Sequence, residues 1–309
     1  MNYKSISEYN CFHPVPLRRF WVFSDLQQSD PVNARYCMHT GVDDFLSLGI
    51  PVDAVCYLGD STEGCKIEHL EEMADMQVKA LARVDAPVYY AMGNHEFDYH
   101  RWCEGAGSLT IPMRARILKE NQWHTTASPG DWSFSKDFGD IVLFFLSDRA
   151  EPELGRWCST HCYHLNVPEE VVTEHDHAAD AERVRAEMAA IDKCFFTFSH
   201  YSFHGGNRDT EGEIQQMLLP LPAHHIAHFY GHSHTGDRVW GKQNCFRQIS
   251  TINDTPTTQF DIASLENKRG NAVRSAIVEW YGGHSYGVYF RDHSRKCWEK
   301  SFTESEKKS

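Results

Sequence analysis

Aspartate, histidine, asparagine and glutamine recur in this chain directly after short apolar runs, and these residue types ligate divalent ions or move protons in catalysis. Gly93-Asn94-His95-Glu96 follows the run Val88-Tyr89-Tyr90-Ala91-Met92. It supplies a tight turn, a carbonyl oxygen suited to a metal and an imidazole able to act as a general acid. Taken singly, such a tripeptide is turn chemistry. Repetition gives it weight. Asp25 and Gln27 follow residues 18–24 (RRFWVFS), Asp60 follows 53–58 (DAVCYL) through Gly59, and His200 follows 194–199 (CFFTFS). His232 and His234 follow 226–230 (IAHFY) in a Gly-His-Ser-His turn, and Asp148 follows 138–147 (FGDIVLFFLS). Asp148 has no partner motif and reads as a turn residue.

A set of carboxylates, imidazoles and amides suits Mn, Fe or Zn better than Ca, and without thiolates it does not describe a closed structural zinc site. It is also larger than one four-coordinate ion needs. With a shared carboxylate it fits two ions about 3.5–4 Å apart, which clamp the attacking and leaving oxygens of an in-line displacement at phosphorus. Water bound to such an ion loses its proton near neutral pH. The expected reaction is therefore hydrolysis of a phosphoester by a metal-bound hydroxide.

Regular elements must bring these residues together. Residues 18–24, 53–58 and 88–92 read as buried strands, separated by helical spacing over 33–48, with Gly49 as its stop, and over 67–84. Strands alternating with helices predict a βαβαβ half with a parallel sheet, whose ligands gather outside the carboxyl ends of the strands. Residues 97–137 are less regular, partly helical over 101–120, and 149–167 form an irregular excursion rich in Trp, Cys and His. A charged amphipathic helix is expected over 168–191 with Glu169 and Glu170 in its first turn, and a short one over 213–219 stopped at Pro220 and Pro222. From Phe246 onward the pattern is antiparallel, with a hairpin over 276–281, Gly282-Gly283 and 284–290, and a frayed polar end over 303–309. No repeat or linker divides the chain. The expectation is a single domain over 1–309, with a motif core over 18–251 and C-terminal antiparallel strands over 270–302.

Composition narrows the partners. Among 309 residues, 41% are hydrophobic and 13% aromatic, as in a globular protein able to bury a sizeable core. A net charge of -13 leaves no electrostatic footprint for nucleic acid or an anionic membrane, which argues against a nuclease. Residues 1–16 hold no apolar core of signal-peptide length, and no run of about eighteen apolar residues occurs. The ten cysteines are scattered and read as reduced thiols of a cytoplasmic protein.

The ordered motifs Asp-x-Gln, Gly-Asp, Gly-Asn-His-Glu, His and Gly-His-x-His, from Asp25 to His234, resemble those of the calcineurin-like metallophosphoesterase superfamily. That resemblance implies an α/β fold, a four-layer sandwich of two mixed β-sheets flanked by helices. It implies a first metal on Asp25, Gln27, Asp60 and His234, and a second on Asp60, Asn94, His200 and His232. His95 would stabilise the pentavalent phosphorus and protonate the departing oxygen. Glu63, Glu96, Asp98 and Asp237 are candidate carboxylates for the far N–H of a ligand imidazole, with a solvated surface charge the equal alternative for each. Gln27 departs from the His that most of the superfamily carries there. A neutral amide oxygen favours harder ions, so the expected cofactors are two divalent metal ions with Mn favoured, Fe, Zn or Mg being alternatives. The Asp-x-Gln variant is similar to the manganese-dependent ADP-ribose/CDP-alcohol diphosphatase group, which implies a small-molecule nucleoside diphosphate substrate cut at its pyrophosphate. A cyclic-nucleotide phosphodiesterase and a catalytically silent metal-binding scaffold stay open as alternatives.

Cys158, His161, Cys162 and His164 place four metal-capable side chains in seven residues, although the C-x3-C spacing is unusual for zinc. A loop packing over the site is the simpler reading. By position alone, Trp157 and Tyr163 in that loop could stack a base; His204-Gly205-Gly206-Asn207-Arg208 reads as a mobile loop, with a solvated Arg208 the simpler reading and a phosphate contact the alternative.

Overall fold

A computed structural model describes residues 15–62, 67–93, 95, 123–124, 133–147, 177–203, 213–234, 247–252, 255–262, 264–267 and 272–304. The first sheet is built from β1 (Arg18–Phe23), β2 (Ala54–Tyr57), β3 (Val88–Tyr90), β4 (Trp123–His124), β11 (Arg274–Gly282), β12 (Ser285–Asp292) and β13 (Cys297–Glu304), in the order β13-β12-β11-β1-β2-β3-β4. The second holds β5 (Phe134–Asp137), β6 (Val142–Leu146), β7 (Phe195–Ser199), β8 (His225–Tyr230), β9 (Arg247–Ile252) and β10 (Thr255–Asp261), in the order β5-β6-β7-β8-β10-β9. Helices α1 (Pro31–Leu48), α2 (Ile67–Leu81), α3 (His177–Ala190) and α4 (Glu213–Met217) complete the described elements. None of these helices is long and apolar enough to cross a membrane.

Period-two alternation sorts the strand residues into layers. On β1, Trp21 and Phe23 join α1 and α2 in one core with Met38, Phe45, Met73 and Leu81, while Phe20 and Val22 meet Phe196 and Phe229 between the sheets. On the far face of the second sheet, Phe144 and Phe195 pack with Val184 and Met188 of α3 and Ile214 of α4. The result is the expected four layers, helix, sheet, sheet, helix. Each fully buried aromatic or aliphatic side chain contributes roughly 1.5–3 kcal/mol.

Aromatic ladders fix the strand ends relative to one another. Phe134, Phe145, Phe198, Phe229 and Phe260 are register partners across β5-β6-β7-β8-β10. Their rings stack at 4.9, 5.2, 5.1 and 5.3 Å. In the first sheet Phe23, Tyr57 and Tyr90 are likewise in register, with ring centroids 4.6 and 4.9 Å apart. A one-residue slip would turn every one of these rings to the opposite face. The carboxyl ends of the parallel strands are therefore flush.

Four sequence expectations change. Helix α1 starts at Pro31, not at residue 33, because Asp30 caps it and accepts from Val32 N at 3.2 Å and Asn33 N at 3.1 Å. The run 138–147 is not one strand. Phe138 to Ile141 is the turn between β5 and β6, closed by Phe138 N–H to Ile141 O at 3.0 Å and by Gly139 N–H to Asp137 Oδ1 at 2.6 Å. After Phe246 the pairing is not purely antiparallel, since β10 runs parallel to β8 and antiparallel to β9. Thr303 and Glu304 are not frayed: they pair with Gly287 and Tyr286 on β12. The expected helix over 101–120 lies outside the described residues, as does the start of the one over 168–191.

Candidate metal centre

The loops that leave β1, β2, β3, β7 and β8 meet at the flush strand ends. Asp25 N–H bonds Gly59 O at 3.0 Å and Gln27 N–H bonds Asp60 O at 2.9 Å, which ties the first two loops together. The Gly-His-Ser-His loop is fastened to them by His232 N–H donating to Asp25 Oδ2 at 2.9 Å, and Ser233 Oγ hydrogen-bonds Asp261 at the end of β10. Close approach explains two glycines. A Cβ on Gly93 would lie 2.4 Å from Asp60 Oδ1, and one on Gly231 would lie 1.9 Å from Ser24 Oγ.

These loops hold five expected site residues in the left-handed region: Asp25 at φ 53°, Gln27 at 34°, Asp60 at 54°, His232 at 65° and His234 at 50°. Non-glycine residues there carry strain of order 1–3 kcal/mol each, and such residues cluster at functional sites. All five are buried, as is His200.

Two triads of ligand atoms result, Asp60 with His200 and His232, and Asp25 with Asp60 and His234, each with its atoms within 4.8 Å of one another. Asp60 belongs to both. His200 Nδ1–H donates to Leu58 O at 2.7 Å, so in the neutral ring the Nε2 lone pair faces Asp60 Oδ2 and His232 Nδ1, each at 3.1 Å. Asp25 Oδ1 is buried, accepts no hydrogen bond among the described residues and lies 3.3 Å from His234 Nε2. A neutral His200 therefore turns an acceptor toward acceptors, a mismatch that a proton on the ring or a bound cation relieves.

The electrostatics agree. Burial opposes charging of His200, but the Asp60 and Asp25 carboxylates outweigh it and lift the imidazole to about 9. Burial likewise acts to raise Asp60, yet the imidazoles of His200, His95 and His232 hold it far below the usual carboxylate range. Asp25 is pushed up, by burial first and by the negative charge of Asp60, against the pull of His234 and His200. The cluster attracts positive charge, and its imidazole and carboxylate donors fit Mn, Fe or Zn.

His95 stands at the rim. Its backbone N–H donates to Asp60 Oδ1 at 2.9 Å, its Nε2 is 3.9 Å from Asp60 Oδ2, and that same Nε2 contacts the Gln27 side-chain amide. Gln27 thus contacts the expected general acid. Asn94, Glu63, Glu96, Asp98, Asp237, Asp148, the Cys158 to His164 cluster, Trp157, Tyr163, His204 and Arg208 lie outside the described residues. Glu266 was not anticipated from the sequence: fully buried, it places Oε1 2.8 Å from His234 Nδ1. Its segment, Ser-Leu-Glu-Asn, has no local feature that marks it.

No protein-family model and no curated protein matches the chain. Among solved structures, the purple acid phosphatase PPD1 of yellow lupin (Lupinus luteus) superposes with a TM-score of 0.53 over 93% of this chain at 13% identity. The match covers 53% of that protein, so the chain spans about half its length. TT1561 of Thermus thermophilus (TM-score 0.49, 11% identity, 93% of this chain and 98% of that one) and a predicted phosphoesterase of Streptococcus pneumoniae (0.34, 12%, 93% and 98%) superpose too loosely to bear on the fold. With its two mixed sheets between helices, the chain has the metallophosphoesterase sandwich fold.

Proposed function

We propose that the chain is a metal-dependent phosphohydrolase whose substrate is a small phosphodiester or pyrophosphate, in the first instance a nucleoside diphosphate derivative. One observation carries this reading: buried acceptor atoms of Asp25, Asp60, His200, His232 and His234 converge in two groups that share Asp60. His234, Asp25 and Asp60, with Gln27, would hold a first ion, and Asp60, His200 and His232, with Asn94, a second. Two divalent ions, manganese favoured, would supply Lewis acidity at the phosphoryl oxygens and a water ionised near neutral pH. His95 is the group that protonates the departing oxygen, and Asp60 positions it through the backbone N–H. The Gln27 amide adjoins its Nε2 and orients the ring. A net charge of -13 supports a small-molecule partner over nucleic acid or an anionic membrane. A cytoplasmic setting is part of this reading, resting on the scattered cysteines read as reduced thiols.

The test is elemental analysis of the purified protein followed by hydrolysis of bis-p-nitrophenyl phosphate, ADP-ribose and cyclic nucleotides with Mn. We expect chelation to abolish turnover and His95→Ala to lose about 10²-fold or more with metal content kept. Normal turnover in His95→Ala removes His95 from its role. Protein that binds no Mn, Fe, Co or Zn defeats the whole reading.

A further inference from the structure

Segment 264–267 passes behind the first metal site and is tied to the loop that carries Asp25. Leu265 N–H donates to Ser24 O at 2.9 Å and Glu266 N–H to Asp25 O at 3.1 Å. Arg274 N–H holds the segment from the other side through Ser264 O at 3.0 Å, and Gln28 Nε2 reaches Asn267 Oδ1 at 3.5 Å. Glu266 is thereby fixed relative to Asp25 by backbone, with its carboxylate buried and Oε1 2.8 Å from His234 Nδ1. The approach is at ion-pair distance without the alignment of a full hydrogen bond.

A negative charge at that place acts on one property of His234. It attracts a proton on Nδ1 and repels a lone pair there, so the neutral ring is driven into the tautomer whose Nε2 lone pair faces Asp25 Oδ1. It also makes that lone pair a stronger donor. The second site has a different device, since His200 gives its Nδ1–H to the neutral carbonyl of Leu58. The extra charge therefore falls on the site where Gln27 contributes a neutral amide.

We infer that Glu266 is a positioning residue that sets the affinity of the first metal site, offsetting the weak Gln27 donor through His234. This inference rests on the dimetal reading above. It is tested on the full-length protein stripped of metal, by Mn²⁺ titration followed by calorimetry and by the electron paramagnetic resonance signal of bound Mn²⁺. Glu266→Gln, which keeps the shape and removes the charge, should weaken one of two sites about 10- to 100-fold and leave the other and the metal-free unfolding midpoint unchanged. Glu266→Asp keeps the charge and should hold that site within a few-fold of the wild type, which also covers the case in which Glu266→Gln does not fold. Wild-type affinity at both sites in Glu266→Gln overturns the inference. So does an equal loss at both sites with a lowered midpoint, or a loss in Glu266→Asp as deep as that in Glu266→Ala. A wild-type protein that binds no Mn²⁺ is a separate outcome, which fails the dimetal reading itself.

Discussion

Asp60 with His200 and His232, and Asp44 with His293 and Arg291, are buried clusters of similar composition on either side of β1. In the second, Arg291 donates from Nε and a terminal nitrogen to Asp44 at 2.8 and 2.9 Å, and His293 Nδ1–H donates to Asp44 Oδ2 at 2.8 Å. Trp21 Nε1–H donates to Ser275 Oγ at 2.8 Å, and the Ser275 hydroxyl donates to His293 Nε2 at 2.6 Å. The order Asp, His, Ser is that of a hydrolytic triad, but Ser275 is fully buried and its hydroxyl is used on both sides. The donors of His293, Ser275 and Trp21, and two of those of Arg291, each meet an acceptor. At the candidate metal centre, a neutral His200 turns its Nε2 lone pair toward the Asp60 carboxylate, so the cluster is matched only when it takes up positive charge. Residue type alone does not separate a structural cluster from a functional one; the balance of donors and acceptors does.

The sharpest way to break this contrast is a matched pair of substitutions. Asp60→Asn should cost on the order of 10³-fold in turnover and reduce metal content at both sites, because the shared ligand is lost. Its unfolding free energy should move less than that of Asp44→Asn. The latter leaves Arg291 buried without its counter-charge and should lose about 3–5 kcal/mol in urea unfolding, with metal stoichiometry unchanged. Metal loss in Asp44→Asn, or the larger destabilisation in Asp60→Asn, would dissolve the distinction.

Acid titration probes a third group of histidines. His228, fully buried and hydrogen-bonded to Thr197 Oγ1 at 2.9 Å and Tyr201 O at 2.8 Å, is pushed down by burial to about 4. The unfolded chain binds its proton near 6.5 and the folded chain does not, so stability declines as pH falls from about 6.5 to 4, by about 3 kcal/mol. Asp44 adds its share lower down. Burial acts to raise it, His293 and Arg291 hold it at about 2, and its contribution is lost as pH falls from about 3.8 to 2. His228→Gln should make the upper part of the profile shallower, leaving there the share of His225, which burial lowers to about 3. A profile that is flat down to pH 4 in the wild type would exclude His228 from it.

The smallest effect is expected from Ser275→Ala. It leaves Trp21 Nε1–H and His293 Nε2 without their partner and should cost about 1–3 kcal/mol with no change in turnover. A gain in stability would mean that the network is less well matched than its distances.

The parts of the site that the sequence made legible are those where local chemistry and strand ends coincide. Asp25, Asp60, His200, His232 and His234 each follow an apolar run, so period and punctuation together pointed to them. Glu266 had no such marker, because its role depends on backbone hydrogen bonds to Ser24 and Asp25, some 240 residues earlier. Asp44 has no local marker either, and only the return of β12 gives it Arg291. The edge strand β5 was hidden for another reason. Its exposed Ser-Lys-Asp carries the polarity that protects sheet edges, which resembles loop composition.

The five left-handed residues of the centre bear on what happens when the protein is evolved in the laboratory. Glycine at positions 25, 27, 60, 232 or 234 would relax the backbone while deleting a donor. A screen that rewards heat resistance and ignores turnover would therefore enrich changes at these positions early, and lines that grow hardier would grow inert. Only a selection that reads both properties would keep the strained loops as they are.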